Sequence, residues 1–453
     1  MPTFALNDIP AALFQREGGG RISVGCTDWD GRLRLKQVPG EHLPRMLREG
    51  LAMTTAVFAT DTAERPMTQG VFQDPARGYG DARLGFEQAA WFPDPHRCWG
   101  TDGLLLGALT AAHAQFCPRA QLVAELARWT ALGLHPAVGI ELECHMLAET
   151  PERLGTVPPS TLRVHPAFGR MYSDVEQAMV GDFLQALAAR ARACGISLGS
   201  VHAEFRGLLE LTLSPATALE AADCVLALKS LLKILARRES ALAVFMAQLS
   251  EEHEPAGMHF NLSLLDPSNG APMFGADAST PGALMQAFLA GLQRDVPACF
   301  LALAPTVNSW KRFATASFVP TRNTWGIDNK TAAYRVIPGP PAEARIEVRL
   351  AGADVHPHLA LTALLAAGRR GISAALQASP PTAGNAHLCD APAGPDFPGD
   401  FRSAIARWRN TPTTTEIFGA DFTAAYADSR DWQLARLERV VTDWEVRQFA
   451  ECV

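Results

Sequence analysis

No two of the nine cysteines form a CxxC pair; they stand singly at 26, 98, 117, 144, 194, 224, 299, 389 and 452. An odd, scattered set argues against a zinc or iron–sulfur site and for reduced thiols in a cytoplasmic protein. No apolar run reaches the roughly 18 residues that a membrane helix needs. The opening MPTFALNDIP has neither the basic nor the apolar part of a signal peptide, so no membrane partner is expected. Positive charge is not in excess either. The net charge of −7 makes nucleic acid an unexpected partner. Internal repeats are absent, and the one biased stretch, Pro/Gly/Ala-rich 378–399, reads as an exposed connection.

What is present is 453 residues, 48% hydrophobic and 19% charged. That is ordinary globular composition, with room for two or three domains. Residues 20–45 read as strands around the turn signal Asp30-Gly31. Residues 65–118, rich in Gly, Pro, Asp and Trp, read as loops and short strands. Composition shifts near residue 115, and a domain boundary is placed there: 1–115 and 116–453. Beyond it a helix follows CPR (117–119), and helical periodicity returns at 174–194, 216–238, 281–294 and 356–376. Strand-like segments lie between, at 138–147, 201–213, 257–264 and 344–350. The C-terminal part is again helical.

Each strand-like segment carries one polar face. In GIELECHML, Glu141 and Glu143 share a face while Ile140 and Leu142 take the other. In HAEFRGLLELTL, Glu204 and Glu210 would share a face if the strand ran unbroken, though Gly207 between them allows a bulge. His259, Asn261 and Ser263 alternate with apolar residues, and so do Arg345, Glu347 and Arg349. Any one of these is explained by a solvated strand face. Together they offer five Glu, one His and two Arg. Carboxylates and imidazole without thiolate suit a hard cation such as Mg²⁺ or Mn²⁺. Arginines beside them suit a carboxylate or phosphate held bidentately.

On these residues the chain resembles the glutamine synthetase family over nearly its whole length. TDWDG, GIELE, ALEAADCVLALKSLLKILARR, FMAQ, GMHFNLSL, PTVNSWKR, WGIDNKTAAYRV, RIEVRL and VTDWE occur in family order. The resemblance implies an α+β fold, with an N-terminal β-grasp domain and a catalytic domain built on a curved antiparallel sheet flanked by helices. It implies ATP-dependent formation of a γ-glutamyl phosphate that an amine then attacks. It also implies two or three Mg²⁺ or Mn²⁺ ions per site, and a homo-oligomer, a dodecamer, with active sites shared between neighbours. By the same resemblance Glu143, Glu204 and Glu210 hold one metal, and Glu141, His259 and Glu347 another. Arg312, Arg349 and Gly257 belong to the glutamate site. Asn261, Ser263, Lys330, Arg335 and Arg345 face the nucleotide, with Arg335 also catalytic. Asp28 corresponds to the ammonium-binding acid, and Tyr172 lines the same pocket.

The departures carry as much information. Glu254-Pro255-Ala256-Gly257 stands where the family has an Asn-Gly pair ahead of GMH. Asn261 replaces a His, Gln248 a Lys, and Lys330 an Arg whose bidentate fork is thereby lost. In KRFATASFVP, Phe318 occupies the place of the loop glutamate that takes a proton from ammonium, and no carboxylate lies between Arg312 and Asp328. An amine with an apolar or aromatic body is therefore expected in place of ammonia. The alternatives are a γ-glutamylpolyamine synthetase, an ordinary glutamine synthetase and a non-catalytic regulatory paralogue.

Overall fold

The computed structural model describes residues 9, 20–67, 78, 80–277, 280–315, 318–389 and 394–452. Parts of three segments read from the sequence lie outside these residues: 68–77 and 79, 316–317 beside Phe318, and 390–393 of the 378–399 connection. Among the described residues, no helix is long and apolar enough to cross a membrane.

The first sheet holds β1 (Arg21–Thr27), β2 (Leu33–Pro39), β3 (Leu51–Thr54), β4 (Asp81–Pro93) and β5 (Gly103–Leu109) in the order β2-β1-β5-β4-β3. β1 and β5 run parallel, and the other neighbours are antiparallel. The expectation of short strands at 65–118 needs correction, because β4 alone has 13 residues. Alternate burial of Ala82, Leu84 and Phe86 carries its first half, and a register shift between Gly85 and Ala90 keeps Trp91 and Phe92 buried in the second. This sheet shares its core with the C-terminal helices. Trp29 packs against Phe422 and Tyr426, and Arg430 pairs with Asp30 at 2.8 Å.

The second sheet contains β6 (His135–Leu147), β7 (Leu198–Ala203), β8 (Leu208–Thr217), β9 (Leu242–Val244) and β10 (Met258–Leu265). After a two-stranded ribbon, β11 (Ala276–Asp277) with β12 (Thr280–Pro281), it is completed by β13 (Trp325–Ile327), β14 (Tyr334–Ile337) and β15 (Arg345–Val348). The order is β13-β14-β15-β10-β6-β8-β7, with β9 beside β6, and only β13–β14 is parallel. The fold is thus α+β with a curled sheet, as expected.

One face of this sheet is apolar. Ile140, Leu142, Phe260, Leu262, Ile346 and Val348 are each at most 1% exposed, and each such side chain contributes about 1.5–3 kcal/mol on burial. The helix Ala218–Arg238 lies against β6, β8 and β9. Thr217 caps it by accepting from the Glu220 amide, and Arg237 and Arg238 complement its C-terminal dipole. Behind it the helices Ala283–Cys299 and Pro357–Ser373 cross backbone to backbone. A Cβ on Gly291 would fall 2.2 Å from the Ala367 carbonyl, and one on Gly371 2.1 Å from that of Ala287. The helix predicted at 174–194 is two, Asp174–Met179 and Gly181–Ala193, separated at Val180.

With its back covered, the sheet turns its other face, the polar one, toward a cavity. Local strand alternation thereby becomes a site.

Candidate active site

Residues directly opposite each other on antiparallel strands point to the same side. The register sets Arg335 opposite Glu347, Glu347 opposite Asn261, His259 opposite Glu141, Glu143 opposite Glu210, and Glu210 opposite His202. Six strands therefore deliver one continuous polar row.

At its centre His259 Nδ1 lies 3.1 Å from Glu141 and 3.6 Å from Glu347. Burial disfavours the charged Glu141, but hydrogen bonds from His259 and Asn261 and the charge of Arg349 outweigh it and hold the carboxyl down at about 2. Glu347 is wholly buried and accepts from Arg335 Nη1 at 2.7 Å and from Arg349 Nη1. Arg335 is held again by Asp328, and Arg349 by the Lys330 carbonyl.

The second group departs from the expectation in two ways. Glu204 and Glu210 do not lie on one strand. The chain turns at Phe205–Gly207, with Arg206 at φ 49°, and a β7–β8 hairpin returns Glu210 to the vicinity of Glu204. His202, which sequence reasoning missed, sits between them, 3.0 Å from Glu204 and 3.7 Å from Glu210. The signal was present, because His202 and Glu204 repeat the two-residue spacing of Glu141 and Glu143. The hydrogen bond to Glu204 and the charge of Glu210 raise the imidazole pKa against burial. Tyr172 stacks on its ring at 4.7 Å. Glu143, expected with Glu204 and Glu210, stands opposite Glu210 and also accepts from the Gly257 amide at 2.6 Å. Gly257 is needed there: a Cβ would fall 2.9 Å from both Arg312 Nη2 and His259 Nε2.

Glu141, His259 and Glu347 form one potential cation group and His202, Glu204 and Glu210 another, each with its donor atoms within 4.8 Å of one another. Glu210 reports the local charge balance. Burial and the negative charges of Glu143 and Glu141 push its carboxyl up to about 7. Oxygen and imidazole donors with surplus negative charge fit hard divalent cations.

These groups open on a cavity of about 580 Å³. Its lining includes the charged Arg312, Lys330, Arg335 and Arg349 and the aromatic or apolar Met171, Tyr172, Phe205, Leu208, Phe318 and Val319. Phe318 is 58% exposed, so much of its ring is available to a ligand. Asn261, Ser263 and Arg345 lie outside this lining. Arg345 donates to the Asn261 side chain at 3.0 Å, and Ser263 to the Ala344 carbonyl at 3.5 Å. Asp28 is not in this lining; it is 2% exposed and paired with Arg32 and Arg34 at 2.8 Å each.

The family profile described as the glutamine synthetase catalytic domain matches residues 115–449. The chain belongs to the glutamine synthetase family. Ligases of this family use ATP and divalent metals, which suits the carboxylate–imidazole row. This glutamine synthetase-type ligase is 27% identical over 441 residues to glutamate–isopropylamine ligase of a Pseudomonas species, with 95% of each chain covered. It is 29% identical over 442 residues to gamma-glutamylethanolamide synthetase GlnA4 of Streptomyces coelicolor, covering 95% of this chain and 92% of that one. The solved structure of apo GmaS superposes with a TM-score of 0.80 at 22% identity, covering 96% of this chain and 97% of the other, and so shares the fold.

Proposed function

We propose that the protein joins the γ-carboxylate of glutamate to an apolar or aromatic amine, at the expense of ATP. The observation that carries this reading is that Phe318 and other apolar side chains line the same cavity as the carboxylate row. Both similar relatives described above are named for amides of amines other than ammonia. Asp28, the candidate ammonium anchor, is occupied by two arginines and leaves no free carboxylate for a cation.

In this reading Glu141, His259 and Glu347 hold one cation, and Glu204 and Glu210 hold a second with His202 or Glu143. The cations would neutralise the triphosphate and stabilise charge on the transferring phosphoryl group. Arg349 and Arg312 take the glutamate carboxylates, and Arg335 and Lys330 face phosphate. A γ-carboxylate oxygen attacks the terminal phosphorus of ATP, ADP leaves, and the acyl phosphate remains. The amine nitrogen then attacks the acyl carbon, phosphate leaves, and nitrogen sheds one proton to form the amide. Ammonium must be bound by negative charge and deprotonated before it attacks, whereas an arylamine arrives neutral at pH 7 and needs only an apolar wall. The same reading places the protein in a homo-oligomer, a dodecamer of two rings.

The test is phosphate release from ATP and glutamate with ammonium, ethanolamine, putrescine, isopropylamine and aniline. Contact of one aromatic face with Phe318 should favour an apolar amine by roughly 1–2 kcal/mol, about tenfold. Phe318→Glu should move the kcat/KM ratio back toward ammonium. Ammonium winning in the native protein would overturn the reading. Putrescine winning would keep the ligase and refute the apolar pocket.

A further inference from the structure

Arg312 reaches the cavity without a charged partner. It is 3% exposed, its Nη atoms donate to the Leu350 and Arg349 carbonyls, and among the described residues no carboxylate forms an ion pair with it. Its place is therefore set by backbone: the segment that accepts from it, and the short 3-10 turn Ser309–Lys311 from which its own chain emerges.

That turn is held by two hydroxyls. Thr306 and Ser309 cap each other, the Thr306 amide donating to Ser309 Oγ at 3.0 Å and the Ser309 amide to Thr306 Oγ1 at 3.1 Å. A hydroxyl has one proton to give, and both protons are directed to one atom. Thr306 Oγ1 lies 2.7 Å and Ser309 Oγ 2.6 Å from Asp354 Oδ2. The other oxygen, Oδ1, is shut off from solvent with no partner. It rests against Gly352, where a Cβ would fall 2.6 Å from it. Asp354 is not in the cavity lining and lies outside both potential cation groups, so neither substrate contact nor cation chemistry accounts for it.

Asp354 stands four residues beyond Leu350, so one segment holds the turn at one point and the Arg312 guanidinium at another. The segment is tied in turn to the Gly257 strand: Ala353 N donates to the Ala256 carbonyl at 2.9 Å and Met258 N to that of Ala351 at 3.0 Å. Lys229 donates to the carbonyls on either side of Asp354, those of Ala353 and Val355. Other elements also touch the turn, Arg430 at the Pro305 carbonyl, Gln433 at the Val307 amide and the Gln248 backbone at the Asn308 side chain. None of these also carries an acceptor for Arg312. We propose that Asp354 is a positioning residue, which fixes Arg312 at the Gly257 edge of the cavity by taking the Thr306 and Ser309 protons. This rests on the ligase reading, in which Arg312 serves glutamate, and deepens it. A displaced Arg312 weakens glutamate and leaves the surroundings of the amine as they were.

The experiment uses the full chain with the most active amine of the panel. Asp354→Ala should raise the glutamate KM about tenfold, with the amine KM moving less than about twofold, because a binding group has been misplaced at one end of the cavity. Asp354→Asn keeps an acceptor oxygen for the hydroxyls and should recover much of the loss. Ser309→Ala should raise the glutamate KM about threefold. Added to Asp354→Ala it should cost little more, since both break one linkage. An unchanged glutamate KM in Asp354→Ala would overturn the proposal, as would a loss confined to kcat or shared equally by the amine. Additive losses in the double variant, or an Asn variant as weak as the Ala one, would do the same. Should Asp354→Ala fail to fold, Ser309→Ala and Asp354→Asn carry the comparison. Native protein that releases no phosphate with glutamate and any amine would instead refute the ligase reading. Deuterium exchange of the amides from Thr306 to Phe313 then decides the role of Asp354 without turnover: Asp354→Ala should exchange there at least about tenfold faster than native, and equal rates would sink the proposal.

Discussion

Removing one charge from the carboxylate row should stabilise the metal-free protein while destroying its activity. The residue is Glu210, whose carboxyl is lifted from its ordinary 4.5 to about 7 by burial and by Glu143 and Glu141. A carboxyl with a raised folded pKa holds its proton more tightly in the native state. Its contribution is fully present below the unfolded value of 4.5 and is lost as pH rises through about 7. The loss amounts to about 3 kcal/mol at pH 8. Glu210→Gln cannot ionise and keeps the shape, so with EDTA at pH 8 it should melt higher than native by on the order of 5 °C. The advantage should shrink toward pH 5, where the native carboxyl is already protonated. Added Mg²⁺ should reverse the ranking, since the native site gains a cation the variant binds poorly, and turnover of the variant should fall at least ~100-fold. Thermal melts at the two pH values, with and without Mg²⁺, make the comparison. A metal-free variant no more stable than native at pH 8, or equally advantaged at pH 5, would refute the crowding argument.

Glu347→Ala should behave oppositely, losing stability along with activity. It strips the buried partner from Arg335 and Arg349, a change worth about 3–5 kcal/mol. Urea unfolding without metal reads it, and unchanged stability would mean that both guanidinium groups find other partners. Gly257→Ala should leave the fold near native, because Gly257 is not among the positive-φ glycines. Its Cβ would nevertheless press on Arg312 and His259, and overpacking costs about 1–3 kcal/mol. Turnover should drop at least ~10-fold, and a normal rate would show that both side chains give way freely.

The local alternation of a strand is written in neighbouring residues. The sequence alone therefore determined that Glu141 pairs in direction with Glu143, His259 with Asn261, and Arg345 with Glu347 and Arg349. The same short range located most helices to within a few residues. It failed where a break depends on backbone geometry. Arg206 enters the left-handed region and turns one expected strand into the β7–β8 hairpin, and nothing in composition marks that turn more strongly than a bulge at Gly207. It failed again at β4, where turn-forming residues at 65–80 masked a 13-residue strand beyond them.

Which strand lies beside which was decided only by the tertiary structure. Long-range pairing set His259 opposite Glu141 and Glu210 opposite both Glu143 and His202. Partner choice followed from it: Glu143 accepts from the Gly257 amide, Glu347 from two arginines, and Asp28, outside the cavity lining, pairs with Arg32 and Arg34. The cavity lining likewise draws Met171, Phe205 and Phe318 from three separate segments. The physical reason is range. A side chain's face is fixed by its own backbone period, whereas its charge partner and its depth depend on closing loops of tens to hundreds of residues around a shared core.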